Sequence, residues 1–268
     1  MSCSSSAEAP REHPLHGGTA NRGRVVRVGD TVRRPMRRTS AATRELLQHL
    51  ERVGFRGAPR YLGSDSQGRE VLSYVVGHAV TQPYPPWALD EAALASVADL
   101  LRSFHEAVGD FDASPHSWPG PVPERFRTSL VTHNDPNLDN VVFREGRAVA
   151  LIDFDLAAPG SRVWEVAAAA RLWAPLRLDR DVHDVREGRQ LSRLTAFVNA
   201  YGLDAAERAE LPEAVLANHD WLYGLVVSEA GQGHEAFAQY WREGAAERSS
   251  RTRDWYVRDL ETLRAAVV

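Results

Sequence analysis

The chain has 268 residues, 43% hydrophobic and 25% charged, which is enough for a substantial core and ordinary for a soluble globular protein. Its formal charge of −4 and isoelectric point near 6.2 argue against a nucleic-acid binder. The single cysteine, Cys3, excludes a disulfide framework within one chain, no apolar run approaches the ~20 residues that span a bilayer, and the N-terminus lacks a signal-peptide core. The expectation is a cytoplasmic protein with no membrane partner.

In chain order, residues 1–13 are Ser- and Pro-containing and predict a disordered tail. A Gly-rich stretch, Gly17-Gly18-Thr19-Ala20-Asn21-Arg22-Gly23, then leads into Val25-Val26-Arg27-Val28, a turn at Gly29-Asp30 and Thr31-Val32-Arg33-Arg34-Pro35, a strand-turn-strand pattern. Glycines in such a turn can lay backbone N–H groups over phosphates, although half of such clusters are only turns. A helix follows, with Ser40 as N-cap, Leu46, Leu47, Leu50 and Val53 on one face and Gly54 as the stop. The run Val71 to Gly77 is strand-like, and Pro83, Pro85 and Pro86 mark a rigid connection. Asp90 caps a further helix whose apolar residues Leu94, Val97, Leu101, Phe104 and Val108 alternate three and four apart, so one face is buried; His105 at its end reads as a packed histidine.

The chemistry is concentrated in His133-Asn134-Asp135-Pro136-Asn137-Leu138-Asp139-Asn140 and in Asp153, inside the apolar run Val149 to Phe154. Between them, Val141 to Arg144 and Ala148 to Ile152 are strand-like around a Glu145-Gly146-Arg147 turn, which predicts a β-hairpin. If Val141 pairs with Ile152, Asn140 and Asp153 flank one open end, close enough to share a metal ion, and an amide oxygen beside a carboxylate suits Mg²⁺. Asp135, in a Pro-containing loop, can then accept the proton of an attacking hydroxyl. A carboxylate within Leu-Ile-Asp-Phe also needs a cation, because a buried unpaired charge costs several kcal/mol. The sequence contains no lysine, so all 32 basic residues are arginines and any phosphate-binding cation must be a guanidinium.

The spacing His-x-Asp-x-x-x-x-Asn followed by Asp-Phe is that of the protein-kinase catalytic loop and metal-binding Asp, with Asp155 where the usual Gly would stand. In this form it resembles the aminoglycoside phosphotransferase family of small-molecule kinases, relatives of choline kinases; the specific part spans residues 131–166. The resemblance implies an α+β, protein-kinase-like bilobal fold, with a small β-rich N-lobe over 14–78 and a larger helical C-lobe over 79–268. It implies ATP as cosubstrate, GTP not being excluded, with Mg²⁺ and a small-molecule hydroxyl acceptor. By the same resemblance the phosphate cation maps best onto Arg33 and second-best onto Arg34, with Glu45 as its partner, and edge-strand arginines without that role are the alternative. Ser73, Tyr74 and Val75 would read the nucleotide base, His133 would support the loop, and Asp220, Glu229 and Glu235 would contact a cationic acceptor between walls of Trp221, Tyr223 and Trp241. Two departures stand out: Glu165 replaces the usual loop-bracing Asp, which puts the bracing in doubt, and Asn134 replaces a frequent Gly, which would narrow the space beside Asp135. The remaining helices are predicted over 185–201, 205–210, 212–230, 234–244 and 250–265, leaving the oligomeric state open. The rival from another class is a pseudokinase-like binding protein without turnover, favoured by the missing lysine and weak Gly loop and opposed by the presence of Asp135, Asn140 and Asp153 together.

Overall fold

The computed structural model describes residues 11–15 and 24–268. Strands β1 (His13–Pro14), β2 (Val26–Val28) and β3 (Thr31–Arg34), then β4 (Tyr61–Ser64) and β5 (Glu70–Ser73), form one antiparallel sheet in the order β1-β2-β3-β5-β4. The Gly17–Gly23 cluster, Cys3 and most of the expected tail lie outside the described residues. The end of that tail is not free: His13 pairs with Arg27, and the Glu12 carboxylate accepts from Arg69 at 2.7 Å. Helix α1 (Ser40–Arg52) buries Leu46, Leu47 and Leu50, but Val53 is half exposed because it already belongs to the turn that Gly54 completes at φ 80°.

Beyond β6 (His78–Ala79) the chain is mainly helical. In α2 (Glu91–Ala107) the Asp90 side chain accepts from the Ala93 amide at 2.7 Å, and Leu94, Val97, Leu101, Phe104 and Val108 are all buried, as their spacing predicts. Strand β7 (Leu130–Thr132) precedes the His133–Asn140 loop. Next come β8 (Val141–Arg144) and β9 (Arg147–Leu151), joined by the two-residue turn Glu145-Gly146 with positive φ at both positions, the geometry that matches strand twist. This turn and a one-residue irregularity between Val142 and Phe143 pair Val141 with Leu151, not with Ile152. The open end survives the shift, because the Ile152 amide donates to the Asn140 carbonyl at 2.9 Å. Strand β10 (Ala158–Gly160) pairs with β7, and β6 borders β8.

Helix α3 (Arg162–Trp173) is buried on nearly every side, and its run Ala167 to Ala170 lets neighbouring backbones approach closely. It packs chiefly on α5 (Ala205–Gly231), which runs unbroken through Pro212 where a break was expected; the core burial of Leu211, Pro212, Ala214 and Val215 offsets the lost hydrogen bond. Helix α4 (Gln190–Tyr201) starts later than expected, because Asp184 turns the chain by accepting from the Arg186 amide and guanidinium. After α6 (Glu235–Tyr240), a distorted turn at Trp241–Ala245 with Gly244 at φ 91° leads into α7 (Ala246–Arg258) and α8 (Leu260–Val267). Among the described residues no helix is long and apolar enough to cross a membrane.

Candidate active site

The His133–Asn140 loop is held from beneath by α3. Glu165, fully buried, accepts hydrogen bonds from the His133 amide and, at 3.0 Å, from the Asn134 amide, so the longer side chain does brace the loop. Asn134 sits in the left-handed region at φ 66°, which Asn tolerates better than most residues. Its side chain turns into the core, where Oδ1 accepts from Thr132 and from the Trp164 indole and Nδ2 donates to the Leu156 carbonyl, so it does not crowd Asp135. His133 Nε2 lies 3.0 Å from the Ile152 carbonyl, which requires a proton there, leaving Nδ1 to accept from the Asp135 amide. Burial lowers its pKa, and the ring is a neutral spacer between loop and hairpin. The Trp173 indole donates to the Pro136 carbonyl at 2.8 Å and fixes the next residue of the loop.

Asp135 accepts from Asn137 Nδ2 on one oxygen and from Asn140 Nδ2 on the other, each at 2.9 Å. Burial, with Asp153 and Asp139 nearby, pushes its pKa up to about 7 against the Asn140 hydrogen bond. Because Asn140 spends its amino group on Asp135, its oxygen is the atom left for a cation. Asp153, at φ 62° at the hairpin's exit, is one-third exposed, and burial together with Asp155 raises it to about 7 against the pull of Arg34.

The cation that meets Asp153 is Arg34, not Arg33. In β3 the two alternate faces, and Arg34 pairs across the sheet with Glu70 while Arg33 pairs with Val71. Arg34 is 7% exposed, with Nε 2.8 Å from Glu70 and Nη1 2.7 Å from Asp155 and 3.4 Å from Asp153. Burial opposes its charge, but Asp155, Glu70 and Asp153 outweigh that and raise its pKa. Arg33 points to the other face, to Thr31 at 2.6 Å and Asp65 at 3.6 Å. Glu45 is 40% exposed beside Arg44 and lies off this network; Glu70, on the neighbouring strand, takes the partner role that the sequence assigned to α1. Arg37 adds a second guanidinium on Asp155 at 2.8 Å. Glu70 and Arg37 were missed because no spacing rule links them to the loop; the signal was strand alternation, which makes Arg34 and Glu70 neighbours once β3 and β5 pair.

Between the sheet and the hairpin lies a cavity of about 370 Å³. Val32, Leu72, Val142 and Ile152 make its apolar walls, and Arg34, Asp139, Asn140 and Asp153 its polar end. Ser73, Tyr74 and Val75 line it, but the Ser73 and Tyr74 amides already donate to the Arg60 and Asp30 carbonyls. Asp220, Glu229 and Glu235 do not line it; Asp220 and Glu235 make ion pairs with Arg253 and Arg242, and Glu229 lies 2.8 Å from His234 Nδ1. Among the described residues no three His, Cys, Asp or Glu side chains are grouped to hold a metal. The Asn140 oxygen and the Asp153 carboxylate are hard oxygen donors of the kind Mg²⁺ takes together with water and phosphate.

The sequence profile of the phosphotransferase enzyme family matches residues 117–211, which include the loop, hairpin and α3. The chain is 30% identical to the trifolitoxin immunity protein of Rhizobium leguminosarum bv. trifolii, over 94% of this chain and 97% of that one. In fold it is similar to a choline/ethanolamine kinase family protein from Mesorhizobium loti (TM-score 0.62, 15% identity, 97% and 94% of the two chains). It is also similar to the streptomycin-ATP-APH(2'')-IIa complex (0.56, 14%, 85% and 90%) and to a microcompartment-associated aminopropanol kinase (0.52, 16%, 95% and 94%). The α+β kinase-like fold, a small β-rich lobe over a larger helical one, is thus the one its motif predicted, and the chain belongs to the phosphotransferase enzyme family.

Proposed function

We propose that this protein transfers the γ-phosphoryl group of ATP to a hydroxyl of a small molecule. The observation that carries this reading is the convergence, at the polar end of one apolar cavity, of Asn140, Asp153 and Arg34, with Asp135 hydrogen-bonded to Asn140 beside them. The nucleotide base lies between Val32, Leu72, Val142 and Ile152, with Val75 the residue of the 73–75 segment whose amide is available to read it. Arg34, already charged and held by Glu70, meets the phosphates from the sheet. Asn140 and Asp153 would hold Mg²⁺, which would supply neutralisation of the phosphate charge. Asp135 orients the acceptor hydroxyl and takes its proton, a role suited to a carboxylate whose pKa lies near neutrality. GTP would fit the same walls.

Asp135→Asn tests this directly. Turnover measured as nucleoside diphosphate release with a competent acceptor should fall by about 10²–10⁴, while the melting shift caused by Mg·ATP persists. Wild-type turnover in the variant would remove Asp135 from the chemistry. The near full-length likeness to a toxin immunity protein favours a second reading of the biological role: the acceptor is itself a toxin, and phosphorylation disarms it. Mg·ATP-dependent protection of sensitive cells by wild type but not by Asp135→Asn would support that role; equal protection by both would mean that the toxin is bound rather than modified.

A further inference from the structure

The helices on the acceptor side were expected to offer carboxylates to a cation. Buried between them is the opposite charge. Arg171, near the end of α3, is 8% exposed, yet among the described residues it makes no ion pair with any Asp or Glu. Its partners are neutral: Nη1 donates to Asn218 Oδ1 at 2.8 Å, and the Tyr256 phenol lies against it, while Nε has no partner. Asn218, 1% exposed on α5, has spent its oxygen on Arg171 and leaves Nδ2 unpartnered. His219, also 1% exposed, has Nε2 3.1 Å from the Ser249 carbonyl and 3.2 Å from the Ser249 hydroxyl, while Nδ1 has no partner; with the proton on Nε2 for the carbonyl, Nδ1 is an acceptor. A buried guanidinium without an acid costs several kcal/mol, and unmade bonds on Asn218 and His219 add to that. A ligand that supplied the complementary groups would recover that cost.

Those groups are an anion for Arg171 Nε and Asn218 Nδ2, and a hydrogen-bond donor for His219 Nδ1. Around them stand rings that a ligand with an apolar body would touch. Tyr223 packs on His219 (4.7 Å between ring centroids) and on Trp241 (5.9 Å), and Tyr240, 41% exposed, hydrogen-bonds to Tyr223 at the surface. Arg177, just past α3, ties this cluster to the loop. It makes no ion pair within 4.0 Å among the described residues; its charge acts on Tyr223 and Tyr256, on Asp184, and on Tyr84, which in turn feels Asp139. On the same stretch of α3 the Trp173 indole holds Pro136, next to Asp135.

We propose that Arg171, Asn218 and Arg177 recognise a carboxylate on the phosphoryl acceptor, so that the substrate is a hydroxylated organic acid with an apolar body rather than an amino alcohol or an aminoglycoside. This rests on the phosphotransferase reading above. Planar guanidinium donors suit a carboxylate, and His219 takes a hydroxyl or amide proton beside it.

The test compares matched acceptors under Mg·ATP: 3-phenyllactate and N-acetylserine against their carboxamides, with ethanolamine, choline and streptomycin as cationic acceptors. The acids should exceed their amides in kcat/KM by about tenfold or more, chiefly through KM. Arg171→Met should abolish that preference. Because Arg171 is buried and its loss could unsettle the fold, the half-buried Arg177→Gln serves as a second variant and should reduce the preference at least severalfold. Without nucleotide, phenyllactate should raise the melting temperature of wild type but not of Arg171→Met. Acids no better than amides, cationic acceptors preferred, or a preference that survives both substitutions would overturn the proposal. An Arg171-dependent melting shift with no ADP formed from any acceptor would instead sink the transfer reading while upholding carboxylate recognition.

Discussion

Arg33 and Arg34 are adjacent, identical in chemistry and opposite in consequence. Only Arg34 has its guanidinium at the polar end of the cavity, because strand alternation sends its neighbour to Asp65 on the other face. Arg34→Ala should therefore lower nucleotide affinity or turnover by tenfold or more and lower the melting temperature, since Glu70, 2% exposed, would keep a buried charge without its partner. Arg33→Ala should change both by little, because its contact with Asp65 is long at 3.6 Å and Asp65 keeps Arg69 at 2.8 Å. Arg34→Lys should recover part of the activity, because one ammonium cannot reach Glu70 and Asp155 with the fork that a guanidinium offers. Parallel kinetics and melting curves of the three variants check this; equal effects at 33 and 34 would mean that metal and backbone hold the phosphates.

At the scale of elements, the loop owes its shape to a helix behind it. Glu165 joins α3 to two consecutive amides at 133 and 134, and charge-assisted bonds of this kind are roughly twice as strong as neutral ones. Glu165→Gln should keep the helix but exchange one accepting oxygen for an N–H that faces two donors. The expected result is a loss of about 1–3 kcal/mol of stability and a fall in kcat larger than any change in KM for nucleotide, because Asp135 would no longer be held in place. Glu165→Asp should fall between the two, reaching the amides less well across the distance this α3 sets. If Glu165→Gln unfolds at the wild-type temperature with unchanged kcat, the brace is not what orders the loop.

For the molecule as a whole, two carboxylates with pKa values near 7 make stability depend on pH and metal together. In the unfolded chain such groups ionise near pH 4, so between about pH 4 and 7 the folded state holds protons that the unfolded state has released. Their contribution is fully present below pH 4 and is lost as pH rises through 7. In chelator, Asp153→Asn should consequently raise the melting temperature most at pH 8 and by much less at pH 5, where only about one pH unit of the contribution has been lost, since Arg34 keeps Glu70 and Asp155 as partners. Mg·ATP at a hundred times its dissociation constant should add about 2.7 kcal/mol to wild type and much less to the variant. Calorimetry at the two pH values, with and without Mg·ATP, checks both statements; a variant stabilised equally at pH 5 and 8 would contradict the linkage.

The sequence by itself determined what depends on short range. The capped and spaced α2, the hairpin that brings Asn140 and Asp153 to one end, and the loop with Asp135 were all legible, because each is specified by residues within about fifteen positions of one another. The sequence also carried enough of the motif to name the family and, through it, the fold. Tertiary structure decided everything that joins distant segments. Which arginine enters the cleft followed from the β3–β5 register, and its acid proved to be Glu70 rather than Glu45 because a neighbouring strand was nearer than the helix. Asn134, expected to narrow the space beside Asp135, and Glu165, whose bracing of the loop was in doubt, instead complete the loop: one turns inward to Trp164 and the other reaches two amides, contacts that no local pattern encodes. The setting of Arg171 was likewise invisible, since it is a property of packing: only when α3, α5 and α7 come together does a buried guanidinium stand, among the described residues, beside Asn218 and Tyr256 with no carboxylate in reach.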